Sequence, residues 1–295
     1  MAQQRERVYE LIVGDYKTGN GIRITDAQIT FDISKTADQK KTKGNSASIE
    51  IYNLTRGQAA LLESEYIECT LSVGYAINGP RVVVTGNVTD YSTRKSGEDR
   101  ITQLKMGEGY SDLNQQTLKQ MVSPGKTVKD VIDEIQKQMP GVSRGSITGT
   151  NLNNPIVHGW RLTGTPREML KKICDAQSLE YNVSGGVLSV SDVNGIVTKD
   201  TSTAPVLSPE TGLIDEPFLT SEDGRKSKKD PKRRRGVQFK ALLNTECIPG
   251  RIVKLEGTPI TGFYRINSAR FSGDFRGNDW YVECFCSEIA TEELE

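Results

Sequence analysis

The amino-acid sequence predicts a mainly β protein with an α+β insertion, in which two antiparallel β-barrel domains flank a small α/β domain. Apolar and polar residues alternate with period two in the first 110 residues and again beyond residue 200. Between them, two segments follow the 3.6-residue period of amphipathic helices. Both flanking segments also end in a long hairpin. We therefore expect a first barrel at 1–110, the α/β domain at 111–200 and a second barrel at 201–295.

The first segment is a series of strands with one short helix. In QITFDI, Ile29 and its apolar neighbours alternate with polar residues, as in a half-buried strand. ASIEIYNL predicts a second strand, and Thr55 with Gln58 then has the spacing of a capping box. Alternation returns in YIECTLSVGY. A hairpin of VVVTGNVTDYSTR and RITQLKM, around the turn KSGED, closes the segment.

The middle segment contains two amphipathic helices and a hairpin. Thr127 and Asp130 have capping-box spacing before VKDVIDEIQKQM, whose apolar residues recur at helical intervals. Thr165 and Glu168 repeat this signal in TPREMLKKICDAQ, with a proline at the first helical position. LEYNV and VLSVSD then form a hairpin around an SGG turn. These elements predict two helices packed on strands.

The third segment returns to the β pattern. Its opening stretch, KDTSTAPVLSPETGLIDEP, has the Pro, Ser and Thr content typical of a linker. GVQFKALLNTECIPGRIVKLEG supplies strands, and GFYRINSARFS pairs with WYVECFCSEI around the turn GDFRGND. In the last strand we expect Val282, Cys284 and Cys286 to share one face.

Composition excludes several classes of protein. The 295 residues include 38 basic and 38 acidic side chains, so the chain is neutral. The polar start MAQQRERVYE does not resemble a signal peptide, and no apolar run approaches the ~18 residues of a membrane helix. Five scattered cysteines suit a reducing compartment better than a disulfide framework. We expect a soluble protein made in the cytoplasm, with no membrane insertion.

The run GRKSKKDPKRRRG at 224–236, called the basic segment below, concentrates positive charge and leaves the rest of the chain with an excess of acid. It contains no aromatic residue that could stack on a base, and its Asp-Pro step interrupts a helix. We expect a solvated loop that docks electrostatically on an acidic neighbour; nucleic-acid binding by 225–235 is the alternative. Its basic residues are Arg225, Lys226, Lys228, Lys229, Lys232, Arg233, Arg234 and Arg235.

The sequence contains no convincing catalytic, cofactor-binding or metal-binding motif. His158 is the single histidine and has no nucleophile motif near it. Cys284 and Cys286 lack the further ligands of a zinc site. SPGKT resembles the end of a phosphate-binding loop, but Gln120 occupies the place of the first glycine. We therefore expect a non-enzyme without a cofactor.

Several stretches together resemble the baseplate hub proteins of contractile-tailed bacteriophages. ASIEIYNLTRGQAALL with its Asn53-Leu54 pair, followed by CTLSVGY ending in Gly74-Tyr75, is similar to their first barrel. GKTVKDVIDEI and TPREMLKKICDAQSLEYNVSGGVLSV are similar to their α/β domain. GLIDEP, GVQFKALLNTECIPGRIVKLEG and the last hairpin are similar to their second barrel. The resemblance covers most of the chain in the right order, but it assigns no role to the basic segment.

The resemblance implies tail-tube-like barrels and a structural role in the virion. Three subunits would close into a ring that adapts a sixfold tail tube to a threefold spike and leaves a lumen for DNA during genome ejection. The implied partners are two further copies of this chain, a tail tube or tube-initiator protein, a central spike protein and other baseplate proteins, with DNA only in transit. The implied location is the tail baseplate, assembled in the cytoplasm of a bacterial host.

One further alternative is a tail-associated module that binds or hydrolyses peptidoglycan. Trp160 and Tyr181 could stack on a sugar, although we expect both to pack in the core of the α/β domain. A hydrolase would have to use His158 or carboxylates of the middle segment.

Overall fold

The computed structural model describes residues 6–15, 17–39, 44–62, 67–197, 201–220 and 235–289. Its architecture is the predicted one, mainly β with an α/β insertion. Buried apolar side chains form two clusters. One unites the first and third segments, and the other lies within the middle segment.

The strands of the first segment form one antiparallel path, in the order β2, β1, β5, β6, β7, β4, β3. A short helix, α1 (Arg56–Ala60), has the predicted capping box of Thr55 and Gln58. Leu62, just beyond it, is buried in the core. The strands are β1 (Arg7–Asp15), β2 (Asn20–Ile24), β3 (Ile29–Thr36), β4 (Ser46–Tyr52), β5 (Glu68–Tyr75), β6 (Gly79–Ser96) and β7 (Asp99–Gly107).

The middle segment packs its helices on two small sheets. Both predicted capping boxes are present, at Thr127 with Asp130 and at Thr165 with Glu168. Gly185 and Gly186 both adopt positive φ angles in the turn of the predicted hairpin. The elements are α2 (Tyr110–Asn114), β8 (Leu118–Val122), α3 (Val128–Lys137), β9 (Ser143–Ile147), β10 (Trp160–Gly164), α4 (Pro166–Gln177), β11 (Leu179–Ser184) and β12 (Val187–Asp192).

The third segment forms the second barrel, and part of the predicted linker belongs to it. β13 (Val206–Leu207) pairs in parallel with β16, and Leu213 forms a bridge with Ala241. Leu207 and Leu213 are both buried, so their apolar side chains draw this stretch onto the core. The other strands are β14 (Phe218–Thr220), β15 (Gly236–Leu242), β16 (Ile252–Glu256), β17 (Thr261–Asp274) and β18 (Trp280–Glu288).

The two barrels contain the same five-strand arrangement, called the five-strand repeat below. Strands β3 to β7 pair in the order β5, β6, β7, β4, β3, and strands β14 to β18 pair in the order β16, β17, β18, β15, β14. β4 and β15 both have seven residues, and Ala47 and Val237 hold equivalent places in their pairing with β7 and β18. β6 and β17 each contain a bulge, at Thr89 and at Asn267. The likeness thus extends to the register of the strands.

One antiparallel pairing joins the two barrels into a continuous sheet. Residues 30–36 of β3 pair with residues 268–274 of β17, and this pairing is called the β3–β17 seam below. Ile33 and Phe271 lie directly opposite each other on its inner side and are fully buried. Both side chains belong to the single apolar cluster that the two barrels share, and their burial favours the joined arrangement.

Candidate functional site: the polar face of the continuous sheet

A broad, largely polar surface crosses both barrels on the side of the sheet opposite the core. Residues paired across neighbouring strands point to the same side, so the registers of β15, β18, β17, β3, β4, β7 and β6 define one face. This surface is called the polar sheet face below. Its charged residues include Asp32, Glu50, Asp90, Arg94, Lys105, Lys240, Arg270, Asp274 and Glu283.

In the first barrel, the basic residues of the polar sheet face are paired with acids. Arg94 donates to Glu50 at 2.9 Å, and Lys105 donates to Asp90 at 2.8 Å. The neighbouring Lys105 ammonium lowers the pKa of the Asp90 carboxyl. Each of these ion pairs carries no net charge, so it does not attract an anion.

The same pattern continues across the seam and into the second barrel. Arg270 of β17 binds the carboxylate of Asp32 on β3, and this contact raises the pKa of the guanidinium. Lys240 lies 3.9 Å from Glu283 and 3.7 Å from the ring centroid of Tyr281. Within the described part of the chain, every basic residue of the polar sheet face has an acidic partner.

On the opposite side of the sheet, buried charge joins the first barrel to the α/β segment. Lys35 donates to Glu108 at 3.0 Å and to the Ser184 hydroxyl at 2.9 Å. Glu108 also accepts from the backbone N–H of Gly185 at 3.0 Å and from the side-chain amide of Asn45 at 2.6 Å. Because Lys35 and Glu108 are almost inaccessible to water, these bonds are needed to offset the cost of burying them.

A second buried ion pair joins the α/β segment to the second barrel. Arg265 of β17 binds the carboxylate of Glu180 on β11, and both side chains are buried. The same guanidinium donates to the backbone carbonyl of Gly195 at 2.7 Å and to the Asn267 side chain at 2.5 Å. The two ion pairs, called the buried polar junction below, hold the inserted segment against both barrels.

Most of the basic segment lies outside the described residues, including Arg225, Lys226, Lys228, Lys229, Lys232, Arg233 and Arg234. Arg235 is described and exposed, and its backbone carbonyl accepts from the N–H of Glu288 at 2.9 Å. Thr220 and Gly236 are paired, so the segment connects the antiparallel strands β14 and β15. Its docking role stays a prediction.

The residues considered for catalysis do not come together. His158 is exposed in the loop before β10, and Ser123–Thr127 form the turn and cap that open α3. Cys284 and Cys286 are buried, and burial raises the pKa of the Cys284 thiol. Among the described residues, no group of three or more His, Cys, Asp or Glu side chains is placed to hold a metal ion.

The two aromatic residues of the middle segment differ in their surroundings. Tyr181 is fully buried in the apolar cluster of that segment, and desolvation raises its pKa. Trp160 is partly buried against the same cluster, with the Lys172 ammonium 5.8 Å from its ring centroid. The tyrosine is thus unavailable for stacking on a ligand at the surface.

Sequence reasoning missed the buried polar junction. A charged residue in an alternating strand pattern normally indicates the side of the strand that faces solvent. The four residues of the junction occur in strands or at their ends but are buried: Lys35, Glu108, Glu180 and Arg265. Their burial depends on contacts with another segment, which the pattern of a single strand does not reveal.

Comparisons place this fold among phage tail proteins. The structure of a tail protein from Neisseria meningitidis covers 98% of this chain and 99% of its own, with a TM-score of 0.65 and 14% identity. A 43 kDa tail protein of prophage MuSo2 from Shewanella oneidensis covers 98% of both chains, with a TM-score of 0.64 and 12% identity. A component of the Escherichia coli type VI secretion system, described as similar to the phage T4 tail proteins gp27 and gp5, covers 90% of this chain and 74% of its own, with a TM-score of 0.59 and 9% identity.

At these identities the likeness establishes the fold. No protein-family profile and no curated protein sequence matches the chain. Within the described residues, no helix has the length and apolar character needed to cross a lipid bilayer.

Proposed function

We propose that this chain is the central hub of a phage tail baseplate. Three copies close into a ring that presents six similar barrels to a sixfold tail tube and threefold symmetry to a central spike. The ring leaves a lumen through which DNA passes. It is a structural component of the virion, acts without catalysis, and is assembled in the cytoplasm of the host.

The five-strand repeat is the observation that carries this proposal. Two barrels of the same topology and register lie side by side in one sheet, joined by a strand pairing that a further barrel could repeat. A chain built of two similar units contributes two positions to a ring. Three such chains therefore supply six similar positions while keeping threefold symmetry.

The polar sheet face has the charge expected of a surface that DNA passes. Free basic side chains would bind phosphates and slow the passage of DNA. Here Arg94, Lys105, Lys240 and Arg270 are each engaged by an acid. We assign this face to the lumen of the ring.

The full-length likeness to tail proteins favours the viral setting. The Neisseria and Shewanella tail proteins match nearly all of this chain over nearly all of their own length. The type VI secretion component extends beyond the match, so this chain corresponds to only part of it.

Electron microscopy of assembled tails tests the proposal. We expect a threefold ring of this chain between the tail tube and the spike, with the polar sheet face towards the axis. A particle that lacks such a ring, or that carries this chain on its periphery, would contradict the proposed function.

We also propose that the basic segment docks on an acidic surface of a neighbouring tail protein. Replacing its eight basic residues with serine should weaken assembly, most strongly at low salt where charge attraction is least screened. A subunit that stays folded but assembles normally would rule this role out. Filter binding of DNA with a salt titration tests the nucleic-acid alternative, which requires a steep salt dependence that the serine variant loses.

A further inference from the structure

Among the described residues, the five-strand repeat has two strand edges that pair with no further strand. In the repeat, β14 of the second barrel corresponds to β3 of the first. Residues 90–96 of β6, which follow its bulge, correspond to residues 268–274 of β17, which pair with β3. Within the described residues, β14 ends the sheet, and residues 90–96 of β6 have only β7 beside them. These edges are the equivalents of the two that meet in the β3–β17 seam.

We propose that β14 of one copy of this chain pairs antiparallel with residues 92–94 of β6 in a second copy. The pairing repeats between chains the seam that β3 and β17 form within the chain. It rests on the proposed ring and adds to it the strands, the direction and the register of the contact between subunits.

The register on the β14 side follows from its pairing with β15. Leu219 pairs with Val237, and Ile33 pairs with Ala47. Val237 and Ala47 hold equivalent places in the repeat, so Leu219 corresponds to Ile33. It lies on the side of the sheet that faces the core in the β3–β17 seam.

The register on the β6 side follows from the two bulges. Counted from these bulges, Thr93 of β6 corresponds to Phe271 of β17. Ile33 lies opposite Phe271 in the seam, so Leu219 of one copy lies opposite Thr93 of the next. Phe218 then lies opposite Arg94 on the polar sheet face.

The side chains of β14 agree with a covered edge. Phe218 and Leu219 are 54% and 60% exposed, although they neighbour the apolar core of the second barrel. Soluble proteins usually protect a free edge with lysine, proline or a bulge, whereas Phe218–Thr220 carries no charge. Beside it, the exposed Glu216 would lie diagonally across from Arg94, as Asp32 lies across from Arg270.

A second copy fits this edge because each chain carries both halves of the contact. Because the two edges differ, the contact joins unlike surfaces of neighbouring subunits, head to tail. Such a contact gives a closed ring when a whole number of the rotations that relate neighbouring subunits makes one full turn. A symmetric pairing of β14 with another β14 would instead leave residues 90–96 uncovered and would stop at a dimer.

A cysteine pair tests the register directly. In the full chain, Thr93→Cys with Leu219→Cys should form a disulfide between copies under copper phenanthroline, because paired residues place their Cα atoms within bonding reach. Phe218→Cys with Thr93→Cys is the matched control, since its side chains point to opposite sides of the sheet. None of the five native cysteines forms a disulfide, and all five are buried.

Denaturing electrophoresis without reductant gives the outcome. We expect covalent trimers at about tenfold the yield of the control pair, with circular dichroism equal to that of the unmodified chain. An oligomer that does not form this cross-link would contradict the proposed pairing of β14 with β6, but it would not contradict the proposed ring. A chain that is monomeric at micromolar concentration and forms no cross-link would contradict both.

Discussion

The individual residues that determine how the segments fit together are buried and charged. Lys35 with Glu108, and Arg265 with Glu180, lie where the α/β segment meets the two barrels. Such pairs contribute little net stability compared with apolar contacts of the same shape, but they are costly to break. They therefore fix one arrangement of the three segments more than they strengthen it.

Neutralising one member of the buried polar junction should destabilise the fold. In Glu108→Gln, the Lys35 ammonium keeps its charge but loses its carboxylate, which should lower the free energy of unfolding by about 3–5 kcal/mol. Asp90→Asn is the control, because it removes the exposed partner of Lys105 and should change little. Urea unfolding measures both, and a loss for Glu108→Gln that is as small as the one expected for Asp90→Asn would contradict this role.

A capping carboxylate makes a pH-dependent contribution to α3. Asp130 accepts from the Thr127 N–H at 2.8 Å and from its hydroxyl at 2.9 Å, and these bonds hold its pKa below the ordinary value. A pKa that is lower in the folded state stabilises the fold above the unfolded pKa, and this contribution is lost as pH falls through the folded pKa. Asp130→Asn should therefore flatten the acid limb of a plot of thermal midpoint against pH. An unchanged acid limb would contradict this assignment.

At the scale of elements, local signals were sufficient for most of the fold. The capping boxes at Thr55, Thr127 and Thr165 and the period-two strands are encoded within a few residues, and all appear in the structure. The β3–β17 seam and the buried polar junction depend on contacts between distant segments, and no short stretch encodes them. The sequence showed that both barrels consist of strands and end in a long hairpin. The equivalence of their strand registers could be recognised only from the strand pairings of the structure.

The division into three domains, at residues 110 and 200, remains a prediction. The two barrels share one apolar cluster, whereas the middle segment has its own. Limited proteolysis should release 111–200 as one resistant fragment if the division is right. Cleavage first inside α3 or α4 would argue against it.

The β3–β17 seam should contribute strongly to stability. Phe271→Ala removes a fully buried ring opposite Ile33 and should cost about 3–5 kcal/mol of unfolding free energy. Phe218→Ala is a matched control, because that ring is 54% exposed and its loss should leave the subunit fold unchanged. Chemical denaturation compares the two, and similar losses would contradict the assigned role of the seam.

At the scale of the whole molecule, the proposed function of this chain depends on its shape. In the proposed ring, two similar barrels provide repeated positions around an axis, and buried ion pairs hold the inserted α/β segment against both barrels. The basic residues of that face are compensated one by one, which suits a surface that nucleic acid passes without binding. The claim on which this picture depends is that three copies form the ring.

The mass of the purified chain in solution tests this claim most directly. Light scattering during gel filtration should give three times the 32.6 kDa of one chain. With tail tube and spike proteins added, each complex should contain three copies of this chain. The Leu219→Asp variant should lower this mass, while Val157→Asp, at an exposed apolar position of the α/β segment, should not. A wild-type mass of one or two chains under all these conditions would contradict the account.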